Sequence, residues 1–191
     1  METLLSAIRQ LQSIPEPLEN ALRQTLRRHE LPRRHWLLQP GQVSERIFFI
    51  EKGVARGYYL KDDREVTSWF MKESDFIISI VSFYSRQPAQ EYIELLEDSV
   101  LWSITYDQLQ RLYDAFPEFN KVGRLLTERY YLLSERRAQN LRMQSAQERY
   151  TQLLADFPDS CRRLPLKYIA SHLGLSPETV SRLRANIAGI T

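Results

Sequence analysis

The sequence predicts an α+β chain in which helices flank a small all-β barrel or roll, on three observations. Amphipathic helical spacing marks the first 26 residues, β-favouring clusters cut by glycines run from Trp36 to Thr105, and helical periodicity returns from Tyr106. With 191 residues, 43% hydrophobic and 26% charged, the chain has enough apolar area for a sizeable core and lacks the composition of disorder.

Leu4, Leu5, Ile8 and Leu11 share one helical face, and after Pro15 and Pro17 so do Leu18, Leu22 and Leu26, which predicts two N-terminal helices. The next segment is polar and Arg-rich, and places His29 and His35 in solvent. From Trp36 the run WLLQPGQVSERIFFIEKGVARGYYL predicts short antiparallel strands, and EVTSWFM, EYIELLE and SVLWSIT predict more. Between them, DFIISIVSFYSRQPAQ is ambiguous by periodicity; one reading is a short helix and loop inserted into the roll, where a pocket would open. After YDQLQRLYDAF, Pro117 starts a long helix, with no Gly after Gly123 and no Pro until Pro158. Along it Val122, Leu126, Arg129, Leu133, Arg136, Asn140 and Met143 follow steps of four and three, an imperfect heptad. A helix packed on its own domain and a homodimer seam both satisfy this pattern. The polar positions favour the seam, because an Asn or Arg there can set register at a cost in stability.

LPLKYIASHLGLSPETVSRLR, residues 164–184, reads as two short helices crossing steeply around a glycine. Leu166, Ile169, Ala170 and Leu173 form the apolar face of the first, and Gly174 supplies the left-handed stop. Ser176 and Pro177 start the second, with Val180 and Leu183 turned inward. Ala170, Gly174 and Val180 match the spacing of a helix-turn-helix. Glu178, Ser181 and Arg182 then share the outward face, where Arg can pair with guanine O6 and N7, Glu can accept from cytosine N4, and Ser can reach either kind of group. The same Glu and Arg also suit an ordinary surface salt bridge. Arg162, Arg163 and Lys167 tip the balance toward DNA, with Lys167, Ser176 and Thr179 as phosphate contacts. His172, inside the first helix, is expected to face phosphate or solvent.

IASHLGLSPETVSRLR resembles the DNA-binding motif of the Crp/Fnr family of bacterial transcription regulators, closer to its Fnr branch, and implies base reading by Glu178, Ser181 and Arg182. Pro177 stands where the catabolite activator has a DNA-touching arginine. LLQPGQVSERIFFIEKGVARGYY, with Gly41 and Gly53, is similar to the family's cyclic-nucleotide-binding roll, and the stretch from Pro117 to its dimerisation helix. The resemblance therefore implies an N-terminal double-stranded β-helix (jelly-roll-like) sensor domain over 1–112, a dimerisation and linker helix over 113–145, and a helix-turn-helix domain over 146–191. ANIAGIT is too short for the two-stranded wing of most relatives, so the wing is expected to be absent or reduced.

Cyclic-nucleotide binders carry F-x-G-E and an Arg-Ser or Arg-Thr pair around the phosphate and ribose. Here Ile78 replaces the glycine, Ser79 the glutamate, and Ala89 and Gln90 the pair, with Ser82 between them. Without the arginine the phosphate loses a bidentate partner, and without the acid the ribose hydroxyl loses its acceptor. Arg86, three positions before Ala89, is the nearby cation that could substitute. The cassette is degenerate, so no cyclic AMP response is expected, and the effector is unknown.

The implied function is a homodimeric, sequence-specific regulator that binds double-stranded DNA, with RNA polymerase as a further partner. A different reading is a small-ligand or partner-binding module whose helix-turn-helix is vestigial, motivated by the short C-terminus and a net charge of only +2. No cofactor, metal site or enzymatic activity is expected, because Cys161 is the single cysteine and the three histidines lack metal spacing. No membrane helix or signal peptide is evident, so the expected location is cytoplasmic.

Overall fold

The computed structural model describes residues 1–188. Two helices open the chain, α1 (Glu2–Leu11) and α2 (Glu16–Thr25), each burying one leucine-rich face: Leu4, Leu5 and Ile8 on the first, Leu18 and Leu22 on the second. Eight strands follow among the described residues: β1 (Arg27–Leu31), β2 (Trp36–Leu38), β3 (Arg46–Lys52), β4 (Ala55–Lys61), β5 (Arg64–Met71), β6 (Phe76–Ile77), β7 (Tyr92–Leu95) and β8 (Ser99–Thr105). A short helix, α3 (Ile80–Ser85), interrupts them in the ambiguous segment.

The strands form two four-stranded sheets, ordered β1-β8-β3-β6 and β2-β7-β4-β5. Strand β1 lies in the Arg-rich segment read as polar. It pairs antiparallel with β8, Arg27 opposite Ser103 and Leu31 opposite Ser99, as an edge strand whose charged face stays in water. There His29 is half-buried, its Nε2 is 2.8 Å from the Ser103 hydroxyl, and burial followed by the charges of Arg46 and Arg27 lowers its pKa. The expectation of a solvated histidine is corrected for His29, whereas His35 is exposed.

Helix α4 (Tyr106–Ala115) begins on a capping box, Thr105 accepting from the Gln108 amide at 3.2 Å while the Gln108 side chain accepts from the Thr105 amide at 3.0 Å. The long helix α5 (Pro117–Met143) follows, then α6 (Ala146–Asp156), α7 (Ser160–Arg163), α8 (Leu166–Leu173) and α9 (Pro177–Ala188). Helix α9 runs on to Ala188, into the ANIAGIT stretch where a wing was expected to be absent or reduced; Gly189–Thr191 lie outside the described residues.

The chain divides into two compact units, one comprising Met1–Gly57 and Phe70–Tyr130, the other Tyr58–Trp69 and Tyr131–Thr191. The first is built on a cluster that joins Leu5, Leu18, Phe49, Phe83, Leu109 and Val122. Val122 is only 1% exposed there and Leu126 packs against the same cluster, so Val122 is removed from the expected seam: its side chain is enclosed by its own unit. Exposed apolar residues on α5 come later, at Tyr131, Leu132, Leu141 and Met143. The second unit has its own core of Tyr150, Leu153, Phe157, Leu164, Ile169, Ala170, Leu173 and Val180.

Candidate nucleic-acid interface

Within the second unit, α8 buries Ile169, Ala170 and Leu173 and stops at Gly174, where φ is 66° and the Leu175 amide donates to the Ala170 carbonyl at 2.9 Å. Arg149 on α6 donates to the last carbonyl of α8, Leu173, at 2.9 Å and to the Gln144 carbonyl at 2.7 Å. That cation at a helix C-terminus complements the helix dipole, and no local spacing signals it, because the partners are 24 residues apart.

Ser176 then caps α9, its Oγ accepting from the Thr179 amide at 3.2 Å, and Val180 is fully buried, so the two helices cross where the small Ala170 permits. The opposite side of α9 is open: Glu178, Ser181 and Arg182 are all exposed. Glu178 has its pKa lowered by its own backbone amide at the helix start, then by the Ser176 hydroxyl, with the charge of Arg182 assisting. It is therefore an acceptor at neutral pH. Lys167 on α8 is exposed, its Nζ 4.8 Å from the Tyr168 ring centroid. Ser176 and Thr179 are exposed too, their hydroxyls 3.1 Å apart. Arg162 is paired with Asp159, and the Arg163 guanidinium lies 5.7 Å from the Phe157 ring centroid.

His172 departs from expectation. It is partly buried, with Nδ1 donating to the Thr67 carbonyl at 3.3 Å, so it faces neither phosphate nor solvent. The carbonyl can only accept, which sets the tautomer.

In the first unit the degenerate cassette is closed by its own hydrogen bonds. Ile78 packs against the apolar core, Ser79, Ser82 and Ala89 are buried, and Gln90 is exposed. The Ser82 hydroxyl accepts from the Ser44 amide at 2.9 Å and donates to the Gln87 carbonyl at 2.6 Å. Ala89 donates to the Gln42 carbonyl at 2.8 Å and accepts from the Gly41 amide at 2.9 Å. Arg86, the nearby cation, is engaged within the chain: its guanidinium holds both Glu45 carboxylate oxygens at 2.7 Å and the Ser44 carbonyl at 2.9 Å. Ser44 and Glu45 escaped the sequence reading because they lie about forty residues from the groups they engage.

Among the described residues no cluster of His, Cys, Asp or Glu could hold a metal ion, and no helix is long and apolar enough to cross a membrane.

Residues 28–116 match the cyclic nucleotide-binding domain family. A search of curated protein sequences returns no match. Among solved structures, FixK2 of Bradyrhizobium japonicum is 18% identical over 86% of this chain and 85% of its own, with a TM-score of 0.74. The c-di-GMP-responsive global regulator CLP of Xanthomonas campestris is 19% identical over 92% of both chains, with a TM-score of 0.68. The catabolite activator protein of Thermus thermophilus is 17% identical over 96% of this chain and 87% of its own, at 0.58. Residues 28–116 thus match the cyclic nucleotide-binding domain family, and the fold, from roll through long helix to helical C-terminal region, is the one shared by FixK2, CLP and the catabolite activator protein.

Proposed function

We propose that the protein is a homodimeric, sequence-specific DNA-binding transcription regulator of the Crp/Fnr type, acting in the cytoplasm and not as an enzyme. One observation carries the reading: Glu178, Ser181 and Arg182 stand exposed on one side of α9 while Val180, on the other, is fully buried. A helix anchored this way can enter a major groove without giving up its packing. Lys167, Ser176 and Thr179, exposed on α8 and the first turn of α9, are assigned to flanking phosphates. We assign residues 1–112 to the sensor, 113–145 to the dimerisation and linker helix, and 146–191 to the reader. The seam runs through Leu126, Leu133 and Asn140, with RNA polymerase a further partner. Ile78, Ser79, Ser82, Ala89 and Gln90 form a cassette that does not serve cyclic AMP, a reading supported by the Ser82 hydroxyl and the Ala89 backbone, which already have partners within the chain.

Selection of duplexes from a random pool by the full chain tests this. The expected result is an inverted repeat with half-sites one helical turn apart, roughly 34 Å, bound in a strongly salt-dependent way. Recovery of no consensus, with equal affinity for random DNA, would overturn it in favour of a vestigial reader.

A further inference from the structure

Strands β4 and β5 form a hairpin whose two-residue turn, Asp62 and Asp63, has both φ values positive, 50° and 57°. This is the twist that suits a tight hairpin. Strand β5 is the last strand of its sheet, so its outer row of amides and carbonyls needs partners from elsewhere. Helix α8 supplies them. The Ser171 hydroxyl donates to the Glu65 carbonyl at 2.6 Å and accepts from the Thr67 amide at 2.9 Å, closing both backbone groups that flank Val66. One residue on, His172 Nδ1 donates to the Thr67 carbonyl at 3.3 Å. Both residues lie on the side of α8 away from the buried Ile169, Ala170 and Leu173.

Covering an edge strand would explain the contact if α8 were an ordinary helix. It is instead the first helix of the reader, the one that crosses the DNA backbone when the second enters the groove. Ser171 is four residues after Lys167, so the two share one outward face, and the hairpin backbone sits on the turn next to the assigned phosphate contact. The turn beside the seated strand, Lys61 to Glu65, is exposed and carries three carboxylates against two cations.

We propose that the β4–β5 hairpin clasps the first reader helix in a self-inhibited state, and that duplex DNA displaces this clasp to reach α8. The inference rests on the DNA-reading function proposed above. A protein that must open a clasp before binding shows an affinity reduced by the open fraction, so removing the clasp tightens binding.

Amide hydrogen exchange at Thr67, followed in the full chain with and without a duplex selected from a random pool, reads the clasp directly. Saturating duplex should raise Thr67 exchange to the level of free Ser171→Ala, and Ser171→Ala should bind the same duplex about tenfold tighter, the weight of two modest hydrogen bonds. Thr67 protection unchanged or increased in the wild-type complex overturns the clasp whether or not the variant folds well, as does equal or weaker binding by a folded Ser171→Ala. If neither protein selects or binds any duplex, DNA reading itself fails and the clasp with it.

Discussion

Burial of His172 against the Thr67 carbonyl pushes its pKa from the ordinary 6.5 down to about 4, aided by the charges of Arg137 and Arg149 and opposed by the Thr67 and Ser68 carbonyls. The unfolded chain takes up this proton below 6.5, whereas the folded chain resists it until about 4. The stability contributed is therefore complete above 6.5 and lost as pH falls toward 4, at up to about 1.4 kcal/mol per pH unit. The melting temperature of the wild type should fall more steeply between pH 7 and pH 4.5 than that of His172→Gln, and parallel curves would refute the assignment. On α9, Arg182→Ala should cost about 1–3 kcal/mol of affinity and relax base preference at one position, while Lys167→Ala should weaken all duplexes alike and reduce the salt slope by about one. Fluorescence anisotropy against selected and random duplexes separates the two outcomes.

Two glycines set different demands on the elements they join. Gly174 ends α8 at φ 66° with open space where a Cβ would be, so Gly174→Ala meets only the backbone cost, about 1 kcal/mol. Gly53, between β3 and β4, has φ 115°, and a Cβ there would lie 2.1 Å from the Ser99 Oγ of a buried serine. Gly53→Ala should therefore cost about 3 kcal/mol or more, and urea denaturation should rank the two variants in that order. Between β4 and β7, Arg56 is 1% exposed and donates to the Glu94 carboxylate at 2.7 and 2.9 Å. Arg56→Met leaves a buried carboxylate uncompensated and should cost about 3–5 kcal/mol, whereas the double change with Glu94→Leu should recover much of that. A double variant as unstable as the single would show that Arg56 matters through other contacts.

At the scale of the whole molecule, the roll and the reader differ in what their polar groups offer. The reader keeps Glu178, Ser181 and Arg182 open, while the cassette of the roll spends Ser82 on Ser44 and Gln87, and Arg86 on Glu45 and Ser44. Calorimetric titration with cyclic AMP and cyclic GMP should give no heat of binding, and micromolar affinity for either would reverse the reading of the cassette. Sedimentation should report a dimer. Charged substitutions at Leu133 and Asn140 should dissociate it and, by separating the two readers, abolish binding to the inverted repeat while sparing weak half-site contact.

The sequence by itself determined the elements whose signals are local. Leucine spacing marks α1 and α2, alternating β-formers mark β5, β7 and β8, and Ala170, Gly174, Ser176 and Val180 mark the crossing of α8 and α9 with its outward triad. Only the tertiary structure decided what depends on distant partners. Strand β1 exists because β8 lends its edge to an Arg-rich segment with little intrinsic preference for it. Val122 went to the core of its own unit, and Arg86 was claimed by Glu45, 41 residues away. Ser171 and His172 turned onto a hairpin more than 100 residues earlier in the chain. Periodicity reports which face of a helix is apolar or polar, and it carries no information about which remote backbone will meet that face.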